Sequence, residues 1–178
     1  RGGGAIFRRA AHQVAIVRLL GGGQVHSVRA QTGAWDPARP TEGAYAALLT
    51  FEGASYASLA YSGYAHFDGD ELCGGVGEMG SLKTAGDYGR ARRNLRHAVD
   101  SDEETALKNA RNYGGADYAA RVAVASTVAA AAHPHFGLVL VCCEHGDLRP
   151  TPEGVMIYAD GRKHLEALPA PRVPRVEV

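Results

Sequence analysis

The chain has 178 residues, 46% of them hydrophobic and 21% charged, values that fit a single soluble globular domain. Its 19 basic and 19 acidic residues cancel, so no overall field draws it to nucleic acid or to an anionic membrane surface. No run reaches the roughly 18 to 20 apolar residues that a membrane span needs, and an odd set of three cysteines argues against a disulfide framework. We therefore expect a cytoplasmic domain that binds neither nucleic acid nor membrane.

The first predicted element is a helix over residues 5–20. Its apolar residues recur at helical spacing, and the glycines at 21–23 supply a left-handed stop. Arg8 and His12 lie four residues apart on another side of this helix, within reach of a common object. Since these two residues and Arg9 are costly to bury alone, either they face a ligand or Arg8 reaches solvent while His12 is a hydrogen-bonded core residue.

Strands are predicted after this helix and again near the end of the chain. Runs rich in β-branched and aromatic residues, separated by turn residues, indicate about six strands in meander order. They cover residues 24–35, 44–51, 55–67, 136–146, 154–160 and 163–169. A hairpin is expected across Glu52, Gly53 and Ala54, and a turn at Asp160-Gly161. The pattern predicts an α+β fold with an open, mostly antiparallel sheet and helices on one face.

The segment between the two groups of strands, residues 69–134, is predicted to be an insertion within a single domain over 1–178. Residues 69–98 are rich in glycine and charge, and residues 101–115 have the acidic first turn and final glycines typical of a short capped helix. Residues 117–134 are rich in alanine and are compatible with a further helix. A long insertion is more often a functional loop or a subunit contact than a second core.

Sites of other types find less support in the sequence. No glycine cluster follows a strand and opens a helix, as a dinucleotide-binding turn requires, and no G-x-S-x-G motif indicates a hydrolase. Three histidines and two cysteines lie close together in the sequence, but neighbouring strand residues point to opposite faces, so only part of this set could reach one zinc ion. We therefore expect no metal. The set comprises His133, His135, Cys142, Cys143 and His145.

An aromatic group near the middle strands allows two interpretations. These side chains either line a pocket for a ring-shaped ligand or are ordinary strand packing, and packing is the commoner outcome. The group consists of Trp35, Tyr56, Tyr61, Tyr64 and Phe67.

Two long motifs carry a resemblance to a known family. "GGGAIFRRAAHQVAIVRLLGGG" and "VRAQTGAWDPARPTEGAYAALLTFEG" resemble the start of the C-terminal domain of the GFO/IDH/MocA (glucose-fructose oxidoreductase/inositol dehydrogenase) family of NAD(P)-dependent oxidoreductases. "YSGYAHFD", "ARNYGG", "HFGLVLVCCEHGDLRPTPEGVMIYADGR" and "LPAPRVPRVEV" extend the resemblance over nearly the whole chain. Within this family, the motifs most resemble those of the phthalate dihydrodiol dehydrogenase branch, which acts in aromatic catabolism.

The resemblance implies how such a domain is used. It implies a substrate-binding and oligomerisation domain that forms a homo-oligomer through its open sheet, with NAD or NADP held mainly by an N-terminal Rossmann domain outside this sequence. The chain opens without a methionine, and we expect it to be a piece of a larger protein that is inactive alone. A non-catalytic assembly module and a small His/Cys metalloprotein are the alternatives.

The resemblance also implies roles for residues of the first helix. His12 falls on the histidine of a D-x-x-x-H-like motif, whereas Arg8 and Ala15 stand where many members have acidic residues. An imidazole can accept the proton that leaves a hydroxyl as it is oxidised, so His12 is the expected catalytic residue. Arg8 and Arg9 are expected to bind substrate, because a guanidinium matches carboxylate geometry.

Overall fold

A computed structural model describes residues 4–37, 41–78, 80–97, 101–110, 113–118 and 132–169. The chain divides into two compact units, Arg1–His66 and Phe67–Val178. Among the described residues, no helix is long and apolar enough to cross a membrane. The organisation as one domain with an insertion at 69–134 stays a prediction.

The first unit begins with a helix in two parts. A π-helical turn, Ile6–Ala10, runs directly into α1, Ala11–Gly21. The helix ends at Gly22, whose φ of 72° is left-handed, as the glycine triplet predicts. The π-helical first turn was not predicted, because the spacing of apolar residues does not distinguish it from an ordinary helical turn.

Three antiparallel strands follow the helix in the order β1-β2-β3. Their bounds are β1 Val25–Gly33, β2 Ala44–Phe51 and β3 Tyr56–Ser62. The predicted hairpin between β2 and β3 is confirmed. The Phe51 amide donates to the Ser55 carbonyl at 2.9 Å, and Ala54 takes a positive φ of 64° in the turn.

The core of the first unit lies on one face of β2. Tyr45, Leu49 and Phe51 share that face and are no more than 5% exposed. Helix α1 ends against it, where a Cβ placed on Gly21 would lie 2.7 Å from the Phe51 ring. On the second face of the sheet, Leu48 is exposed, so this three-stranded sheet is open on one side.

The second unit combines short helices with a four-stranded meander. Two 3-10 turns cover Gly69–Cys73 and Ala85–Asp87, α2 covers Arg90–His97, and α3 covers Ser101–Ala110. The strands are β4 Val141–Cys143, β5 Gly146–Thr151, β6 Gly154–Ala159 and β7 Arg162–Ala167, all antiparallel neighbours in chain order. The predicted α+β class with open antiparallel sheets is confirmed, and the described strands number seven in two sheets.

Sequence and structure differ most around β4 and β5. Residues 136–146 are predicted as one strand, but only Val141–Cys143 pairs, and the unpredicted β5 follows. The sequence predicts a turn at Pro150 because proline has no N–H to donate to a neighbouring strand. In the structure, β4 pairs with β5 only as far as Leu148, so the Pro150 nitrogen, on the β4 side of β5, lies beyond the paired residues. The alanine-rich helix considered over 117–134 lies mostly outside the described residues.

Candidate functional site

Helix α1 and its π-helical start are anchored at both ends by the segment that forms the β2–β3 hairpin. At the start, the Glu42 carboxylate accepts a hydrogen bond from the Ile6 amide at 3.0 Å, and the Glu42 carbonyl accepts one from the Ala5 amide at 3.0 Å. At the other end, the Ser55 hydroxyl donates to the Gly21 carbonyl at 3.0 Å. These bonds satisfy backbone groups that every helix end leaves unpaired, and they fix the helix to the sheet.

A tyrosine pair holds the middle of the helix. Tyr45 and Tyr61 are register partners on β2 and β3, and their rings stack with centroids 5.9 Å apart. The Tyr45 hydroxyl donates to Gln13 Oε1 at 2.5 Å, and Arg9 Cζ lies 6.0 Å from the centre of the Tyr61 ring. Since Arg9 and Gln13 are one turn apart, both reach the same tyrosine pair.

The environment of Tyr45 keeps its hydroxyl protonated. Burial raises the pKa of the Tyr45 phenol, the neighbouring Tyr61 raises it further, and the positive charge of Arg9 opposes them. The phenol is therefore a hydrogen-bond donor throughout the neutral range, as its bond to Gln13 requires.

The predicted site residues separate into two groups in the structure. Arg9 contacts the Tyr61 ring and so takes part in holding the helix on the sheet. Arg8 and His12 are exposed, one turn apart, on the helical strip beside the one formed by Arg9 and Gln13. Arg9 is exposed as well, so all three residues are accessible to a bound molecule. The predicted catalytic role of His12 and the predicted substrate-binding roles of Arg8 and Arg9 stay predictions.

A shallow groove of about 380 Å³ lies across the three strands of the first unit. A Cβ on Gly33 would lie 2.6 Å from the Trp35 ring. The centroids of the Trp35 and Tyr64 rings are 5.2 Å apart. The Tyr64 hydroxyl accepts a hydrogen bond from the Trp35 amide at 3.2 Å. Trp35 and Tyr64 are therefore packed together, while Trp35 and Tyr61 also line the groove, so both interpretations of the aromatic group stay predictions. The groove is lined by Gln31, Thr32, Gly33, Trp35, Ala44, Tyr45, Ala46, Ala60, Tyr61 and Ser62.

Two histidines of the suspected metal set are bonded to the backbone. His135 Nδ1 accepts from the Gly137 amide at 3.0 Å, which leaves Nε2 to donate to the Val76 carbonyl at 2.7 Å. His133 Nε2 lies 3.0 Å from the Pro169 carbonyl. In the part of the chain that the structure describes, no group of three or more His, Cys, Asp or Glu side chains could hold a metal ion.

An ionic cluster that the sequence did not predict lies in the second unit. Lys83 Nζ lies 2.7 Å from Asp68 Oδ2 and 2.5 Å from Asp70 Oδ2. The hydrogen bond from Lys83 lowers the pKa of Asp68 against the opposing effect of burial. Burial would lower the pKa of Lys83, but its hydrogen bonds to the two carboxylates raise it overall. The cluster joins residues 15 positions apart in a segment without helical or strand periodicity, so no sequence pattern marks it.

Residues 1–83, which contain the anchored helix and the three-stranded sheet, match the family model described as the GFO/IDH/MocA C-terminal domain. This part of the chain belongs to that family. The resemblance seen in the sequence is thereby confirmed, and the GFO/IDH/MocA match includes Arg8, Arg9 and His12.

Two further proteins are similar to the chain beyond the GFO/IDH/MocA match. A Comamonas testosteroni protein named 1-carboxy-3-chloro-3,4-dihydroxycyclohexa-1,5-diene dehydrogenase is 38% identical over 177 residues, which are 99% of this chain and 44% of that protein. A crystal structure from Bordetella bronchiseptica RB50, named as a dehydrogenase, has a TM-score of 0.78 and 38% identity, covering 93% of this chain and 41% of the other. The chain thus spans less than half the length of either.

The described residues lack the turn that holds a dinucleotide. Such a turn joins a strand to a helix through glycines whose amides approach a pyrophosphate. In the first unit, Gly22 instead ends a helix, and Gly74, with a φ of 71°, ends a five-residue 3-10 turn in the second. The residues that the structure describes therefore do not fit the pyrophosphate of NAD or NADP.

Proposed function

We propose that the chain is the substrate-binding and oligomerisation part of an NAD(P)-dependent dehydrogenase that oxidises a ring hydroxyl of a carboxylated cyclic diol derived from an aromatic compound. The observation that carries this proposal is the exposed strip of Arg8 and His12 on a helix anchored at three points to its sheet. The name of the Comamonas relative supports the substrate class, because it describes a carboxylated dihydroxycyclohexadiene and the similarity covers 99% of this chain.

His12 acts on the proton in this proposal. Oxidation of a hydroxyl removes a hydride from carbon, which NAD or NADP accepts when bound, and a proton from oxygen. The imidazole of His12 accepts that proton as a general base. His12 is exposed on the helix, so a substrate can approach its side chain.

Arg8 binds the carboxylate of the substrate. Its guanidinium offers two parallel N–H donors that match the two carboxylate oxygens. Because Arg8 and His12 lie one turn apart, Cβ atoms at this spacing are about 5–6 Å from each other. This spacing lets the guanidinium and the imidazole contact one six-membered ring that carries a carboxylate and a hydroxyl at different carbons.

The open face of the first sheet serves assembly of the homo-oligomer. Arg29, Ala46, Leu48 and Ala60 are exposed there, and the two alanines leave room for another sheet to approach this face. This face also supports the second candidate function, a non-catalytic assembly module.

Steady-state kinetics of the full-length protein that carries this chain test the proposal. His12→Ala should lower kcat by roughly 10² to 10⁴-fold, the usual contribution of a general acid or base. Arg8→Ala should raise KM for the carboxylated diol and leave kcat nearly unchanged. It should also reduce the preference for the carboxylated diol over the same diol without a carboxylate.

Two exposed residues supply matched controls. Arg18→Ala removes an arginine near the other end of α1, and His26→Ala removes an exposed histidine of β1; neither should change the kinetics. Wild-type constants in both folded variants, His12→Ala and Arg8→Ala, would refute the dehydrogenase site and leave the assembly module.

A further inference from the structure

The bond between Tyr45 and Gln13 is the side-chain contact nearest to His12 among those that anchor the helix. Glu42 and Ser55 hold the two ends through backbone groups. Tyr45, in contrast, holds the side chain of Gln13, the residue directly after His12. The Tyr45 contact therefore acts on the helical turn that carries His12, whereas the contacts of Glu42 and Ser55 lie more than one turn away along the helix.

This contact is specific because it is made by a buried polar group. Tyr45 is 5% exposed, so its hydroxyl has little access to water. A buried hydroxyl that loses its partner keeps the full cost of desolvation. The phenol is itself fixed, since its ring stacks on Tyr61 and its strand pairs with both neighbours. Gln13 must therefore remain opposite a rigid donor.

The geometry of a helix makes this rotation important for His12. Side-chain tips lie about 5–6 Å from the helix axis, so a rotation of roughly 10° displaces the imidazole by about 1 Å. A misplacement of that size can cost about 10²-fold in rate. The contact of Arg9 with the Tyr61 ring is longer, at 6.0 Å, and Arg9 is exposed, so the bond from the buried Tyr45 is the tighter of these two restraints.

We propose that Tyr45 and Gln13 are positioning residues of the dehydrogenase, which fix the rotation of α1 and thereby place the His12 imidazole against the reacting hydroxyl. The inference rests on the proposed function of His12. Neither residue contacts substrate, and both act on kcat through His12.

The test is a set of variants in the full-length protein. Tyr45→Phe removes the hydroxyl and keeps the ring stack, and Gln13→Met removes the acceptor and keeps the length of the side chain. Each should lower kcat roughly 10- to 100-fold, and the double variant should be no worse than either. KM should change much less, because the long, flexible side chain of Arg8 can follow the substrate carboxylate when the helix turns. Tyr158→Phe is the matched control, since it removes the hydroxyl of a half-buried tyrosine of β6 and should leave kcat unchanged.

The His12→Ala background separates positioning from simple stability. If Tyr45 acts through His12, Tyr45→Phe should cause no further loss of kcat in that background. An equal loss in both backgrounds, or no loss in the wild type, overturns the positioning role. Wild-type kcat in His12→Ala would overturn the proposed function itself. If His12→Ala loses kcat as expected but Tyr45→Phe keeps the wild-type kcat, only this inference is overturned.

Discussion

The Glu42 carboxylate caps the helix that begins at Ile6, with Oε1 3.0 Å from the Ile6 amide nitrogen. Glu42 lies two residues before β2, so the start of the helix and the start of the hairpin are joined by one side chain. The arrangement is favourable in charge as well as in hydrogen bonding, because the amide end of a helix carries partial positive charge.

Removal of this cap should destabilise the first unit. We expect Glu42→Ala to lower the free energy of unfolding by about 1 kcal/mol, the typical loss for a missing side-chain cap. Chemical denaturation monitored by circular dichroism measures the change. Glu52→Ala, at an exposed position of the β2–β3 turn, is the control, and equal stability of the two variants would contradict the capping role.

The end of the same helix offers a test of backbone conformation. Gly22 has a φ of 72°, whereas the adjacent Gly23 has no positive φ, and added Cβ atoms at both would enter open space. Gly22→Ala should therefore cost about 1–2 kcal/mol, because only the left-handed conformation is penalised. Gly23→Ala should change stability much less. Thermal unfolding of both variants decides, and similar melting temperatures would exclude this explanation.

The first unit was predicted well because its signals are local. Helical spacing, a glycine stop and runs of β-branched and aromatic residues bounded by turn residues are properties of adjacent positions, and they predict the helix, the hairpin and the three strands. In the second unit, α2 was missed because Arg90–His97 is dominated by arginine and offers no apolar stripe.

The contacts that hold the site were not predictable in the same way. Helical spacing places Arg9 and Gln13 on one strip, next to that of Arg8 and His12, but it does not reveal which strip meets the sheet. That choice depends on Tyr45 and Tyr61, which are 16 positions apart and become neighbours only through the register of β2 and β3. The sequence thus indicated the helix and its candidate residues, but not that Arg9 would lie on Tyr61.

The cluster of Lys83 with Asp68 and Asp70 should make the stability of the second unit depend on pH. The pKa of Asp68 is lowered in the folded state. Asp68 therefore stabilises the fold fully above its pKa in the unfolded chain, about 3.9, and this stabilisation is lost as pH falls through its pKa in the folded protein. The pKa of Lys83 is raised, so its contribution is present below about 10.4 and is lost as pH rises through the folded value.

Comparison of Asp68→Asn with the wild type measures this dependence. Between about pH 4 and pH 10 the wild type should have the larger free energy of unfolding. Its advantage over Asp68→Asn should shrink as pH falls from about 5 to below the pKa of Asp68 in the folded protein. Asp160→Asn, in the exposed β6–β7 turn, controls for the loss of one negative charge. A difference that stays constant down to the lowest pH would show that the ion pair does not contribute.

The open face of the first sheet should be the surface through which subunits assemble. Leu48 lies in the middle strand on that face and is 41% exposed, while Leu49, its neighbour on the opposite face, is 2% exposed. A charge at Leu48 should thus leave the core intact and place a carboxylate against the partner sheet, where the cost of its desolvation exceeds what pairing with Arg29, its register partner on β1, returns. We expect Leu48→Glu to dissociate the oligomer, which light scattering measures as a lower mass.

Leu107→Glu is the matched control, because Leu107 of α3 is also 41% exposed. An unchanged mass for folded Leu48→Glu, or an equal effect of both substitutions, would show that the subunits do not meet through this face.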